Sequence, residues 1–173
     1  FKRKRTGRTV AGTAVYRLKK KMPQGAIIGA RGPYGIFATD DTPLNTWFRT
    51  AYIDRYGTPP TGPVYQYAQA ILAAKYAYDK AAAAIGGKFP STEQVVAALE
   101  GATITAFSTT IQMALNNGHQ AITDHVYGIS GWDADKGEPT VSEVVRFKAT
   151  CIMPPDGVKS VDWIKGGLKG AKC

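Results

Sequence analysis

The sequence predicts a mixed α/β fold in which helices come first and strands follow. Between residues 42 and 101, apolar side chains recur at helical spacing between recognisable helix caps. From Ala102 onward, apolar and polar residues alternate with a period of two, which is typical of half-buried strands. The chain has 173 residues, 44% of them hydrophobic, so it is long enough for one domain with a packed core. No apolar run approaches the ~20 residues that a membrane-spanning helix needs.

Residues 1–21 form a basic leading segment, which we separate from the rest of the chain, residues 22–173. The segment carries nine of the 22 basic residues and no acid, and the other 13 bases are balanced by 13 acids, so the whole net charge of +9 lies here. A basic arm can bind phosphate backbones without sequence preference, so a nucleic-acid-binding module is the alternative function. The simpler interpretation is a solvated end. No recognised nucleic-acid motif follows, and FKRKR is not followed by the apolar core of a signal peptide.

A short apolar run, Ala26 to Gly29, lies between turn residues and predicts a buried strand that leads into a glycine-rich loop, residues 29–35. The loop lacks the Lys-Ser/Thr ending of a phosphate-binding P-loop and the glycine spacing of a dinucleotide-binding fingerprint. We therefore interpret it as a flexible connection and not as a phosphate site.

Residues 42–57 predict a helix with clear ends. Thr42 can cap the first turn, Pro43 fits the first helical position, and Gly57 ends the helix. Arg49 and Asp54 are expected to face water. The side chains expected on the buried face are Leu44, Trp47, Phe48, Ala51 and Tyr52.

A long helix is predicted from Pro63 to Gly86, and a shorter one follows over residues 91–101. Ser91 and Gln94 fit a capping box, and Gly101 ends the shorter helix. The long helix is expected to bury a stripe formed by Val64, Tyr67, Ala68, Ile71, Lys75, Tyr78, Ala82 and Ile85. The shorter helix is expected to bury Val95, Val96 and Leu99.

The alternating part of the sequence predicts strands separated by a turn at residues 131–139, and a short terminal element anchored by Trp163. The first predicted buried face consists of Ile111, Met113 and Leu115. The second consists of Val145, Phe147, Ala149, Cys151 and Met153.

The cysteines and histidines do not predict a metal or catalytic site. Cys151 and Cys173 could form a disulfide in an oxidising compartment, but we expect a buried Cys151 and a free terminal Cys173. His119 and His125 would lie ~20 Å apart on an extended strand, too far for one metal ion unless the chain bends. Asp133 and Asp135 are expected to be solvated. With no nucleophile motif either, we expect no cofactor, no metal, no catalytic residue and no enzymatic activity.

Four segments, in order, resemble the substrate-binding proteins of branched-chain amino acid ABC transporters, the leucine-binding, type I periplasmic-binding family. They are NTWFRTAYIDRYGTPPTGPVYQYAQAILAAKYAYDKA, PSTEQVVAALEGATI, IQMALNNGHQAITDHVYG and VVRFKATCIMPPDGVKSVDWI. Each motif is weak alone, and their shared order and spacing carry the resemblance, which runs from about Ala11 to Lys169.

The resemblance implies a partial type I periplasmic-binding fold with three-layer α/β/α lobes, each a parallel sheet flanked by helices. It also implies periplasmic localisation and binding of a small solute, an amino acid or an amide-like compound, in an interlobe cleft for delivery to an ABC permease. The glycine-rich loop corresponds to a hinge connection, where Arg31 and Tyr34 are candidates to line the cleft, against the alternative of simple hinge packing. Family members are about twice as long, so most of the first lobe is expected to be absent. We therefore expect the helices at 42–57 and 63–86 to expose apolar faces, and the chain to dimerise or stay partly molten.

Overall fold

The computed structural model describes residues 11–38, 42–113, 121–155, 157–171 and 173. The chain divides into two compact units, which we describe separately. The first contains the residues up to 67 together with 107–109 and 124–147, and the second contains 68–106, 110–123 and 148–173. Within the described ranges, no helix is both long enough and apolar enough to cross a bilayer.

The first unit is built around a three-stranded sheet. Its strands are β1 (Ile27–Arg31), β5 (His125–Asp133) and β6 (Glu138–Phe147), with β5 in the centre and both pairings antiparallel. The predicted strand and the predicted turn before β6 are both confirmed. A bulge lies in β6, where the register shifts opposite Tyr127 to Ile129 and Glu143 has a φ of 48°. The bulge inserts an extra residue and reverses the alternation of side chains that follow it.

The core of this unit lies against β1 and β5. Helix α1 (Ala11–Leu18) contributes Val15 to this core, and a 3₁₀ turn at Gly35–Phe37 closes it. Its buried side chains are Val15, Ile28, Ile36, Phe37 and Val126. Ser130 fastens the start of β1, since its hydroxyl donates to the carbonyl of Pro23 at 2.6 Å and accepts from the Ala26 amide at 3.1 Å.

Helix α2 (Pro43–Tyr56) begins and ends as predicted, because the Thr42 hydroxyl accepts from the Asn45 amide and Gly57 takes the left-handed conformation. The predicted buried face is wrong in part. Trp47 is 64% exposed and Ala51 is exposed, whereas Asn45 is fully buried. Arg49, predicted to face water, is half-buried. The reason is that only a narrow side of α2 packs against aromatic rings of other segments. Hydrogen-bonded polar side chains occupy part of that side.

Helix α3 (Gly62–Ala84) has the predicted extent, but its buried side was predicted wrongly. Of the predicted stripe, Tyr67, Ile71 and Tyr78 are exposed. The residues that are buried are Tyr65, Gln69, Ala77 and Ala81. Apolar residues occur all round this alanine-rich helix, so periodicity alone could not select the side that packs.

The second unit joins α3 and α4 (Thr92–Leu99) to a small sheet of β2 (Thr103–Thr105), β3 (Thr110–Met113) and β4 (Ala121–Ile122), ordered β2-β3-β4. The capping box of Ser91 and Gln94 is confirmed. Val95 and Leu99 pack as predicted, while Val96 is exposed and Ala98 is buried instead. Buried residues of the sheet core are Ala102, Ile104, Ala106 and Ile111, covered by Ala73, Tyr76, Leu99 and Met113. The predicted strand residue Leu115 lies outside the described residues.

The C-terminal part of the second unit differs from the prediction in two ways. Residues predicted to extend a strand through Cys151 and Met153 form helix α5 (Ala149–Ile152) instead, because β6 ends at Phe147 and Pro154 and Pro155 follow at once. The last residues of β6 are exposed, contrary to the prediction for Val145 and Phe147.

The expected free Cys173 is also wrong, since Cys151 and Cys173 form a disulfide with their Cα atoms 4.5 Å apart. Helix α6 (Ser160–Lys165) buries Trp163 as predicted, and the indole N–H donates to the Lys169 carbonyl at 3.0 Å.

The predicted α/β class is confirmed, but the parallel sheets that the resemblance implies are not found. Every strand pair in the described residues is antiparallel. The two hairpin-like pairings, β5 with β6 and β2 with β3, follow from connections too short for a parallel crossover.

Candidate functional site

The glycine-rich loop that carries the two predicted ligand-binding residues is closely packed. A side chain at Gly32, where φ is 94°, would collide with the ring of Tyr34, since a Cβ there would lie 2.1 Å from that ring. Glycine is therefore required at this position by both conformation and space. At Gly29 on β1 only space is limiting, since a Cβ there would lie 2.6 Å from the ring of Tyr127.

The structure places Arg31 and Tyr34 in different environments. Arg31 lies at the exposed end of β1, directly opposite His125 on β5. Tyr34 is only 3% exposed and stacks on Tyr65, with ring centroids 6.1 Å apart. Arg31 is thus accessible to solvent, while Tyr34 is buried and packs beneath the loop.

Tyr34 belongs to an aromatic cluster, which we define as Tyr34, Phe48, Tyr65 and Phe107. Phe48 stacks on Phe107 at 4.3 Å and meets Tyr65 edge-on at 5.1 Å. Tyr65 and Phe107 are also in edge contact at 5.5 Å. Such stacked and edge-to-face pairs stabilise by about 0.5–1.5 kcal/mol each beyond the area they bury. The cluster joins the loop, α2, the start of α3 and the segment at residues 107–109.

A directed chain of hydrogen bonds runs beside this cluster. The Arg49 guanidinium donates to the phenol of Tyr65 and to that of Tyr16. The Tyr65 hydroxyl donates to Asn45 Oδ1 at 2.8 Å, and Asn45 Nδ2 donates to the Ala38 carbonyl at 3.5 Å. The Thr42 hydroxyl donates to the Phe107 carbonyl. These bonds fix the relative positions of α2, α3 and the loop end.

Burial changes the acidity of the groups in this network. Burial raises the pKa of Tyr65 and of Tyr16, and the nearby Arg49 opposes the change without cancelling it. Burial by itself lowers the pKa of Arg49, but its bonds to Tyr65 and Tyr16 raise it above the usual value. At neutral pH the phenols therefore stay protonated and Arg49 stays charged. The network therefore orients the side chains of Asn45, Arg49 and Tyr65. None of these three is a base poised for proton transfer near neutral pH.

His125 is the one histidine that the structure describes, because His119 lies outside the described residues. Burial lowers the pKa of His125 below its usual value of 6.5, the Arg31 charge lowers it further, and Asp124 partly opposes both. Among the described residues, no group of three or more His, Cys, Asp or Glu could hold a metal ion. The hypothetical pair of His119 and His125 is therefore not tested by the structure.

Asp133 and Asp135 lie at the β5–β6 turn. The Asp133 carboxylate accepts hydrogen bonds from the amides of Asp135 and Lys136, both at 3.0 Å. Hydrogen bonding to the Lys136 amide lowers the pKa of Asp133, with burial opposing and the Lys136 charge assisting. These contacts describe a local turn and not a ligand site.

Sequence reasoning missed the residues that organise this region, namely Asn45, Arg49 and Phe107. Asn45 and Arg49 lie four residues apart with Phe48 between them, so a polar pair on the edge of an aromatic helix face was the available signal. Phe107 offered no such signal in the sequence, since it lies in a loop and its partner on α2, Phe48, is 59 residues away.

The fold is similar to those of several solved proteins. A protein described as an ABC-type branched-chain amino acid transporter from Rhodopseudomonas palustris CGA009 matches with a TM-score of 0.61 and 21% identity, over 79% of this chain and 33% of that one. A leucine-binding protein from Thermotoga maritima MSB8 matches with a TM-score of 0.59 and 18% identity, over 84% and 38%. A solute-binding protein of an ABC transporter from R. palustris BisB5, solved with 3,4-dihydroxybenzoic acid, matches with a TM-score of 0.58 and 17% identity, over 78% and 34%.

Neither a protein-family model nor a curated protein matches the amino-acid sequence. The chain spans about a third of the length of the solved proteins that it resembles. At these identities the likeness bears on the fold. The chain therefore has the fold of part of an ABC-transporter substrate-binding protein, as the sequence motifs predict.

Proposed function

We propose that this chain is part of a solute-binding protein that binds a small amino acid, or a related compound such as an amide, and passes it to an ABC permease without covalent chemistry. The observation that carries the proposal is the fold likeness to several solute-binding proteins of ABC transporters. The compounds named for such proteins include leucine, 3,4-dihydroxybenzoic acid and benzoate, which are small molecules with a carboxylate. We propose the same solute class for this chain.

In this proposal the glycine-rich loop supplies the contacts from this chain. Arg31 is exposed at the end of β1, and a guanidinium pairs with a carboxylate through two parallel hydrogen bonds. Tyr34 supports the loop through its stack on Tyr65. In this proposal Arg31 contacts the solute directly, whereas the buried Tyr34 acts indirectly by holding the loop in place.

The proposed location is the periplasm, and the solute-binding part is residues 22–173, preceded by the basic segment 1–21. The disulfide between Cys151 and Cys173 supports this location, because disulfides persist in oxidising compartments such as the periplasm. One of the similar solved structures is described as a periplasmic binding protein from Burkholderia mallei.

The test is thermal unfolding of the purified 173-residue chain, alone and with amino acids, small amides or benzoate as probes. A solute that binds the folded state stabilises it by about 2.7 kcal/mol at a concentration of about 100 Kd, so the midpoint must rise. We expect at least one carboxylate solute to raise it. The Arg31→Ala variant should lose this shift, and Arg55→Ala, which removes an exposed arginine of α2, should retain it.

A cooperative melt that none of these solutes moves would contradict the proposal. A shift that survives in Arg31→Ala would support solute binding but reject the role given to Arg31.

A further inference from the structure

One face of the three-stranded sheet of the first unit carries a cationic and two aromatic side chains together. Arg31 on β1 lies opposite His125 on β5, and His125 lies opposite Phe147 on β6. Residues directly opposite each other in an antiparallel sheet point to the same face, with Cβ atoms about 4.5–5.5 Å apart. Tyr127, two residues after His125, points to that face as well. We define the open sheet face by these four residues, Arg31, His125, Tyr127 and Phe147.

The opposite face of the same strands is filled by the core of the unit. Ile28 and Val126, which alternate with the residues of the open sheet face, are buried. On the open sheet face itself, Tyr127 is 42% exposed, Phe147 is 40% exposed, and Arg31 is exposed. The two rings and the guanidinium are therefore accessible to a molecule from solution.

The ring of Tyr127 extends over β1, because Gly29 leaves that space free. Gly29 lies opposite Tyr127 and precedes Arg31 by two residues, and a Cβ at Gly29 would lie 2.6 Å from the ring. The same ring meets that of Phe147 edge-on, with centroids 5.9 Å apart and an interplanar angle of 82°. The patch spans about 10 Å across the three strands. A flat ring that stacks on one of these two rings can therefore meet the other edge-on, in the two arrangements that aromatic pairs prefer.

The electrostatic field at the open sheet face is positive. Arg31 forms no ion pair with another residue of the described ranges. Burial lowers the pKa of His125, and the Arg31 charge lowers this pKa further by more than the Asp124 charge raises it. None of the four residues of the face is acidic. An ammonium group would find no counter-charge among them, whereas a carboxylate can accept two parallel hydrogen bonds from Arg31.

We propose that the open sheet face binds an aromatic carboxylate, with its carboxylate on Arg31 and its ring against Tyr127 and Phe147. This inference rests on the solute-binding function proposed above and narrows the solute to a ring acid without an ammonium group. His125, between Arg31 and Phe147, can donate a further hydrogen bond to the carboxylate. Tyr127 and Phe147 then determine specificity, while Arg31 contributes to the binding of any carboxylate.

Isothermal titration calorimetry of the 173-residue chain with benzoate, cyclohexanecarboxylate and leucine tests the solute class. Benzoate and cyclohexanecarboxylate carry the same carboxylate on a ring of the same size, and only the benzoate ring is flat and aromatic. The wild-type chain should bind benzoate at least about threefold more tightly than cyclohexanecarboxylate, because aromatic pairs add to the area that they bury. Leucine should bind more weakly than benzoate, because its ammonium group meets a positive field.

Three substitutions separate the ring contacts from the charge contact. Tyr127→Leu and Phe147→Leu keep apolar bulk but remove a ring, so each should abolish the preference for benzoate over cyclohexanecarboxylate. Arg31→Gln should weaken the binding of both ring acids at least about tenfold. If Tyr127→Leu loses its cooperative melt, Phe147→Leu, at the exposed end of β6, decides the ring contact.

Tyr56→Leu is the matched control for the ring variants. Tyr56 is a 58% exposed tyrosine of α2 in the same unit, and the guanidinium of Arg55 lies 5.7 Å from its ring. Its substitution should leave the affinities for both ring acids unchanged. A loss of the benzoate preference in Tyr56→Leu would overturn the assignment of the ring to the open sheet face, and so would a preference that survives in both Tyr127→Leu and Phe147→Leu.

The three probes also distinguish this inference from the function on which it rests. If leucine or cyclohexanecarboxylate binds at least as tightly as benzoate and Arg31→Gln weakens that binding, solute binding stands and the aromatic class is overturned. If none of the three probes binds, the solute-binding function and the aromatic class fail together.

Discussion

Asn45 shows how a single buried amide organises an aromatic cluster. It is fully buried, accepts a hydrogen bond from the Tyr65 hydroxyl at 2.8 Å, and donates to the Ala38 carbonyl. Asn45→Ala would leave the Tyr65 donor and the Ala38 acceptor without this partner and would open a cavity. We expect a loss of about 2 kcal/mol in the free energy of unfolding, measured by urea titration.

The neighbouring exposed residue supplies the control for this prediction. Thr46→Ala should change the free energy of unfolding by less than about 0.5 kcal/mol. Equal losses in the two variants would show that the amide network does not contribute specifically.

His125 makes stability depend on pH in a direction that follows from its environment. Burial and the Arg31 charge lower its pKa in the folded state below 6.5, so the unfolded chain takes up the proton first as the pH falls. Protonation thus favours unfolding, and the stabilising contribution is lost as the pH falls below about 6.5. In a His119→Gln background, His125→Gln should flatten the pH dependence between about pH 7.5 and about pH 5.5. An unchanged slope would contradict this account.

At the scale of elements, the helix ends were predictable because their signals are local. The capping box of α4 depends on four consecutive residues, with Ser91 and Gln94 each bonded to the other's backbone amide. Ser91→Ala should therefore cost about 1 kcal/mol in the free energy of unfolding. Thr92→Ala, one position later, removes no capping bond and is the control. Chemical denaturation that shows equal stability for both variants would reject the capping contribution.

The buried sides of elements were less predictable than their ends. In α3 the sequence offers two apolar sides, and the side that packs is the one facing β2, β3 and α4. In β6 the alternating pattern predicts one continuous face, but the bulge around Glu143 shifts the register and the strand ends at Phe147. Both errors have the same cause, since the neighbour that covers an element is distant in the sequence.

At the scale of the whole molecule, the disulfide between Cys151 and Cys173 closes a loop of 22 residues around Trp163. A cross-link over a loop of this length stabilises by about 3 kcal/mol in the chain-entropy description. Reduction should lower the midpoint of denaturation followed by tryptophan fluorescence. The Cys151→Ser/Cys173→Ser variant should match the reduced protein and show no further response to reductant. A midpoint that reduction leaves unchanged would contradict the contribution of the disulfide.

Part of the candidate site followed from the sequence and part did not. The sequence predicts a site at the glycine-rich loop with Arg31 and Tyr34, from local composition and the family resemblance, and this assignment stays a prediction. The aromatic contacts that hold the loop were not predicted from the sequence. Tyr34 stacks on Tyr65, 31 residues later, and Phe107 completes the cluster. No local pattern encodes such contacts.

The sequence by itself determined the α/β class, the ends of α2 and α4, the strand that leads into the glycine-rich loop, and the likeness to ABC-transporter substrate-binding proteins. These depend on residues close together in the chain or on the order of motifs along it. Only the tertiary structure decided that the sheets are antiparallel, that Cys151 bonds to Cys173, that Asn45 and Arg49 join the aromatic cluster, and that α3 leaves Ile71 and Tyr78 exposed. Each of these depends on which distant segments meet, and packing free energy selects that arrangement over the whole chain.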